Sequence, residues 1–300
     1  MSEPVDVQRL LRERDHARAT KDFARADTLR AQIERAGFTI RDTPTGAVAE
    51  PRARLETANP ATIPNSLSEP PTVEFSFNLL YEGFREDVQR FLEGFSRHND
   101  TARAEIVIVD NASPDGDWLE GLQQARILHL DRTLGWAAAR NAGLKTSRGE
   151  ILVLVDLSIE PTGDMLTPLR LSFQTPSVGI AGPFGLVSAD MRSWDPSEGP
   201  DVDAVEGYLL ATRRAVLADE LICEKFKWYR NADIDLSLQI RSKGRDAVAV
   251  PLPVIKHVHR GWEALDEAGR ARLSKRNHYI LFDRWKHRMD LLLSGGAPEA

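Results

Sequence analysis

The sequence predicts an α/β domain with a small helical hairpin in front of it, and three observations carry that expectation. From Val73 onward, short apolar runs alternate with stretches of helical periodicity, as in a sheet whose strands are joined by crossover helices. The run Ile151 to Val155 is apolar and mostly branched throughout, the pattern of a strand buried on both faces of a parallel sheet. Before Val73, residues 43–72 collect Pro44, Pro51, Pro60, Pro64, Pro70 and Pro71 among Ala, Thr and Ser, and read as a linker.

Three hundred residues suit one large domain with an appendage. With 42% hydrophobic and 28% charged residues the chain has an ordinary globular composition. A net charge of −6 argues against a general nucleic-acid binder, because phosphate backbones select a basic face. The single cysteine, Cys223, excludes an internal disulfide and a cysteine-rich zinc site, and suits a reducing compartment. The start, M-S-E-P-V-D-V, is too polar for a signal peptide, and no apolar run approaches the roughly 20 residues that span a bilayer. The expected location is the cytoplasm, with peripheral attachment to a membrane left open.

In chain order, Leu10, Leu11, Phe23, Ala26, Leu29 and Ile33 recur at three- and four-residue steps. They predict two helices between Val5 and Gly37, with Gly37 as a C-cap. Strands are expected at Phe75–Leu80, Glu105–Val109, Ala125–Leu130, Ile151–Val155, Val178–Ala181 and Asp246–Val250. Helices are expected at Phe84–Phe95, from Pro114, at Leu134–Lys145 and at Ala232–Ser242. A closing amphipathic helix spans Glu263–His287, with a break near Leu273 and an apolar face that a second copy could cover. Residues 187–202 lack periodicity and are long enough for a lid.

Several side chains stand where chemistry could happen. Asp156 ends the central strand, where a carboxylate can hold a metal-bound phosphate or a sugar hydroxyl, or simply cap the next turn. Asp110 can accept an N–H from a nucleobase edge or close an Asx turn. Gly135 permits close backbone approach to a ligand, and Arg140 can pair with a phosphate or a surface carboxylate. Asp233 can serve as a general base or as a helix-start charge favoured by the dipole; Asp235, on another helical face, reads as structural. Trp228 and Tyr229 can stack on a sugar or fill the core.

Taken in order, V-I-V-D-N-A-S, L-G-W-A-A-A-R-N-A-G-L, L-V-D-L-S and N-A-D-I-D-L-S-L-Q-I-R-S-K-G followed by V-P-L-P-V-I-K-H-V-H resemble the inverting family-2 glycosyltransferases of GT-A fold. The resemblance covers roughly Val73 to His287 and implies a three-layer sheet with helices on both faces. It implies a nucleoside-diphosphate sugar as donor, bound by Asp110, Asn111, Ser113, Gly135, Arg140, Asp156 and Gly207, with Tyr208 beside the sugar. It implies Asp233 as catalytic base and an acceptor of glycan, lipid or protein nature, for which the rings of Trp228 and Tyr229, able to stack on a sugar, are the candidate site. A divalent cation, Mn2+ or Mg2+, is implied on Asp156 and a histidine, His257, with His259 as the alternative. The chain departs from the family pattern at Thr133; it departs further at the first strand's end, N-L-L-Y-E-G in place of Thr-Tyr-Asn, at Ser158 in place of the second metal-binding acid, and at Ala232 in place of a glutamate. These departures keep a second expectation alive, a non-catalytic GT-A-like binding protein. The wording from Leu10 to Gly46 resembles the end segment of cysteinyl-tRNA synthetases, which implies a hairpin that contacts tRNA or docks on a protein.

Overall fold

The computed structural model describes residues 6–43, 46–51 and 55–295. The chain divides into two compact units, Met1–Glu56 and Thr57–Ala300.

In the first unit, α1 (Val7–Ala19) and α2 (Phe23–Arg35) each open on an aspartate. The Asp6 and Asp22 carboxylates accept the backbone N–H of Arg9 and Arg25, which satisfies helix-start donors. Leu10, Leu11, Ala17, Ala26, Leu29 and Ile33 bury together between the helices, as their spacing predicts. Gly37, at φ +84°, ends the pair. The expected linker does not begin at residue 43. Instead β1 (Phe38–Thr43) pairs antiparallel with β2 (Gly46–Pro51), because Ile40, Ala47 and Ala49 add to the same apolar cluster. Buried Arg14 forks onto both Asp42 oxygens at 2.9 and 3.2 Å, and with Arg18 it holds that carboxyl down at about 2.

The second unit begins with the rest of the expected linker, and it too is fixed. Arg214 lies buried and donates to the carbonyls of Ser66, Leu67, Glu69, Ser147 and Gly149. Pro60, Pro64, Pro70 and Pro71 remove N–H donors from this strap but leave every carbonyl, so one guanidinium can hold it. Replacing Arg214 with Met is expected to leave buried carbonyls unpaired and to cost about 3 kcal/mol, read as a lower urea midpoint at unchanged slope.

The unit then runs β3 (Val73–Tyr81), α3 (Arg85–His98), β4 (Ala104–Asp110), β5 (Arg126–His129), α4 (Trp136–Thr146), β6 (Gly149–Val155), β7 (Ile159–Pro161) and α5 (Leu166–Ser172). Short strands follow: β8 (Val178–Gly182), β9 (Gly185–Val187), β10 (Asp195–Ser197), β11 (Asp201–Val202), β12 (Ala204–Val205) and β13 (Leu209–Arg213). The chain closes with α6 (Arg214–Leu217), α7 (Ala232–Ser242), β14 (Asp246–Ala249), β15 (Val254–Lys256), α8 (Arg260–Glu263) and α9 (Glu267–Trp285).

Among the described residues eight strands form the main sheet, in the order β11-β14-β8-β13-β6-β3-β4-β5. β6, β3, β4 and β5 are parallel, and β13 runs antiparallel between β6 and β8. Along β6, Leu152 and Leu154 enter the core on one face, with residues of α7 and α9. Ile151, Val153 and Val155 enter the core on the other, with α3 and α5. The central strand is thus covered on both sides, as its unbroken apolar run requires.

Three local expectations change. The helix expected from Pro114 is a 3-10 turn over Gly116–Gly121. Residues 187–202, expected as a lid, carry β10 and β11, and β10 joins β9 and β12 in a small sheet. Asp203 fixes this region by accepting the backbone N–H groups of Ser188 and Leu293. The closing helix breaks at residues 264–266 rather than near Leu273, because the Asp266 carboxylate caps α9 through the Gly269 N–H. Among the described residues, no helix is long and apolar enough to cross a membrane.

Candidate active site

The strand ends of the parallel half deliver Asp156. One oxygen, Oδ1, accepts the backbone N–H and the hydroxyl of Ser158 at 2.8 and 2.6 Å. The other, Oδ2, lies 3.0 Å from His259 Nε2. Burial alone would raise the Asp156 pKa, but the bonds from His259 and Ser158 outweigh it and hold the carboxyl below its ordinary range. His259 caps α8, its Nδ1 accepting the Trp262 N–H at 3.0 Å, which sets the ring with Nε2–H toward Asp156.

His257, favoured from the sequence as the metal-binding histidine, does not reach Asp156. Its backbone N–H bonds to the Ser158 carbonyl and prolongs the pairing of β15 with β7, so its ring meets Glu160 at 2.6 Å. The chain then leaves the pairing direction, and the ring two residues on turns inward.

Asp233 comes from the first turn of α7. Asn231 precedes it in the left-handed region at φ +65°, a conformation asparagine tolerates better than most residues. Asp233 Oδ2 accepts the Gly207 N–H at 2.7 Å, and Oδ1 accepts the Ile234 N–H at 2.9 Å. A Cβ on residue 207 would stand 3.1 Å from Asp233 Cβ, so the glycine permits this close approach. Burial pushes the Asp233 carboxyl up to about 6, against the pull of those two N–H groups, and the nearby Glu206 charge adds to the rise. Asp235, on the far face, binds Arg284 and the Trp285 indole N–H at 2.7 Å each and is structural, as expected.

Asp156, Gly207, Tyr208, Tyr229, Asp233 and His259 line one cavity of about 710 Å3. Tyr229 stacks on His259 with ring centroids 4.3 Å apart. Trp228 does not line the cavity: it lies flat on Trp262 at 5.8 Å, and its carbonyl is held by Asn277. Trp262 takes the wall position instead. It went unnoticed in the sequence, although H-R-G-W directly after a strand end was a visible signal.

The expected nucleobase contacts are occupied by the protein itself. Asp110 is 2% exposed; its oxygens accept the Ser113 N–H and face His129 Nδ1, both at 2.8 Å, so the Asx turn is the arrangement found. Asn111 clamps Leu134 through two bonds and donates to Glu82, while the Ser113 hydroxyl donates to the Tyr81 carbonyl. Gly135 does allow close approach, but of Lys227, whose Cα would lie 3.0 Å from an added Cβ. The Trp136 and Ala137 N–H groups at the start of α4 donate to the Lys227 and Phe226 carbonyls. Arg140 is 3% exposed and ties the Asn78 and Val155 carbonyls at 2.7 and 2.9 Å rather than facing a phosphate. Burial brings its pKa down to about 10, so it remains a cation behind Asp156.

Residues 81–231 match the family Glycosyl transferase family 2, and residues 2–47 match the Cysteinyl-tRNA ligase anticodon binding domain. Over 46 residues the chain is 54% identical to a cysteine–tRNA ligase of Nitratidesulfovibrio vulgaris, covering 15% of this chain and 10% of that one. Over 133 residues it is 24% identical to an N-acetylglucosaminyltransferase of Bradyrhizobium elkanii, covering 41% of this chain and 73% of that one. A crystal structure of GalNAc-T7 with UDP, GalNAc and Mn2+ shares the fold, with TM-score 0.61 at 15% identity over 72% of this chain and 48% of that one. The chain thus spans a small part of the ligase and about half of the GalNAc-T7 chain. The match over residues 81–231 takes in Asp110, Asp156 and Gly207 and ends before Asp233 and His259, which geometry alone brings to the site. With half of its length matched and a GT-A sheet around Asp156, the chain belongs to glycosyl transferase family 2.

Proposed function

We propose that the protein transfers a sugar from a nucleoside-diphosphate sugar to an acceptor hydroxyl by a single inverting displacement, with Asp233 as the base. The observation that carries this is Asp233 on the wall of the cavity that also holds Asp156, with its carboxyl pushed up to about 6. A carboxylate of that basicity is ionised at neutral pH yet takes a proton more readily than an ordinary aspartate. The acceptor oxygen bonds to the anomeric carbon as the bond to the diphosphate oxygen breaks. The electron pair leaves with the nucleoside diphosphate, and the hydroxyl proton ends on Asp233. Two N–H bonds fix that carboxylate, so little reorganisation accompanies the step.

Among the described residues no three His, Cys, Asp or Glu side chains cluster as a metal cage. One carboxylate with a neighbouring hydroxyl does fit Mg2+ or Mn2+, which keep waters and bind through one or two carboxylates plus substrate phosphates. Asp156 would hold such a cation, and His259 would orient Asp156. When bound, the cation would neutralise charge on the leaving diphosphate. The test is a thermal-shift screen of UDP, GDP and dTDP with Mn2+. At 100-fold excess over Kd, the binding nucleotide should stabilise the protein by about 2.7 kcal/mol. No response to any of the three would end this reading.

A further inference from the structure

Two smaller cavities open beside the large one. The first, about 60 Å3, adjoins Asp156, Ser158 and Arg140. The second, about 470 Å3, is lined by Arg230, Trp262, Glu267, Arg270, Ala271 and Ser274. They share no lining residue with each other, yet each shares residues with the large cavity: Trp136, Asp156, Tyr229 and His259 for the first, Arg230, Trp262 and Ser274 for the second. The site therefore has an Asp156 end, suited to the donor diphosphate, and a separate second end.

The second end is cationic. The Arg230 and Arg270 guanidinium carbons lie 5.3 and 5.2 Å from the Trp262 ring centroid. Trp262 itself rests on Trp228. Arg192 and Lys275 line the adjoining wall. Among the described residues none of these four cations forms an ion pair, and Arg270 donates to the Leu265 carbonyl. The second cavity sets Arg230 and Arg270 against one acid, Glu267, whereas along the large cavity Arg192, Arg230, Lys256 and Lys275 are matched by Asp156, Glu206, Asp233 and Glu263. A guanidinium resting on an indole face is partly desolvated and keeps its planar fork in one orientation, the arrangement that grips a carboxylate or phosphate with two bonds.

We propose that the acceptor carries an anionic group, a carboxylate or phosphate, near the hydroxyl that receives the sugar, and that Arg230 and Arg270 on Trp262 bind it. This rests on the cavity being the transferase site. Donor phosphates do not account for the cations, because the diphosphate belongs at the Asp156 end.

The test is ligand-observed NMR titration of the whole chain with glucose, glucuronate and glucose 6-phosphate, UDP and Mg2+ being present. One of the two anionic sugars should bind about tenfold more tightly than glucose. The preference should narrow as NaCl is raised. In Arg230→Gln/Arg270→Gln the three sugars should converge to within about twofold while UDP still binds, which separates the loss of an anion grip from a loss of fold. Whichever anion wins names the group. Equal binding of all three sugars to the unsubstituted protein would overturn the proposal, as would an anion preference that survives the double substitution. Failure of the unsubstituted protein to bind any of UDP, GDP and dTDP would overturn the transferase reading and this proposal with it.

Discussion

Asp233→Asn is expected to lower kcat by roughly 10²–10⁴-fold while nucleotide affinity stays within about twofold. The amide keeps the size of the carboxylate and can still accept the Gly207 N–H, so the cavity wall stays in place. What it cannot do is take the acceptor's proton. In the unsubstituted enzyme the acidic limb of kcat should follow Asp233, falling about tenfold per pH unit below a pKa of about 6. The same group makes a stability prediction of opposite sign. Its pKa is raised from 3.8 to about 6, so folding disfavours the charged form, and stability is lost as pH rises through that window. Asp233→Asn should therefore be more stable than the parent by about 1 kcal/mol at pH 8, one N–H bond being given up, and show no gain at pH 4. Urea unfolding at the two pH values measures this. Retained turnover in the variant would remove Asp233 from the mechanism.

The two histidines separate as sharply. His259→Ala deletes the donor to Asp156 Oδ2, the stack on Tyr229 and a cap of α8. Removing a group that orients a metal-binding carboxylate typically weakens metal affinity by about 10–100-fold. The Mn2+ concentration that half-saturates the UDP-dependent thermal shift should rise by that factor. His257→Ala should change it less than about twofold, since its pair with Glu160 is a half-exposed one. The reverse ranking would return the metal site to the position favoured by the sequence.

The strand and helix ends that carry the chemistry were legible because each is a local pattern. An apolar run stopped by Asp156, and a helix opening on Asp233, need no knowledge of distant residues. The features that were not legible depend on contacts far along the chain. The strap over residues 57–72 looked free because its anchor, Arg214, lies 147 residues beyond Leu67. Residues 187–202 looked like a lid because their pairing with β9 and β14 is set by strands too short to show periodicity. Asp110 could be read two ways, and His129, which decides between them, sits 19 residues away. His257 and His259 differ only in where β15 stops pairing with β7, a one-turn detail of the fold.

Crystals grown with UDP and Mn2+ test the central claim most directly. The cation should be held by Asp156, with the diphosphate at the same end of the cavity. The Asp233 carboxylate should stay open toward the far side of the site, and the Arg230–Trp262–Arg270 end should be free of nucleotide. A cation held by His257 and Glu160, or a diphosphate seated on Arg230 and Arg270, would contradict it.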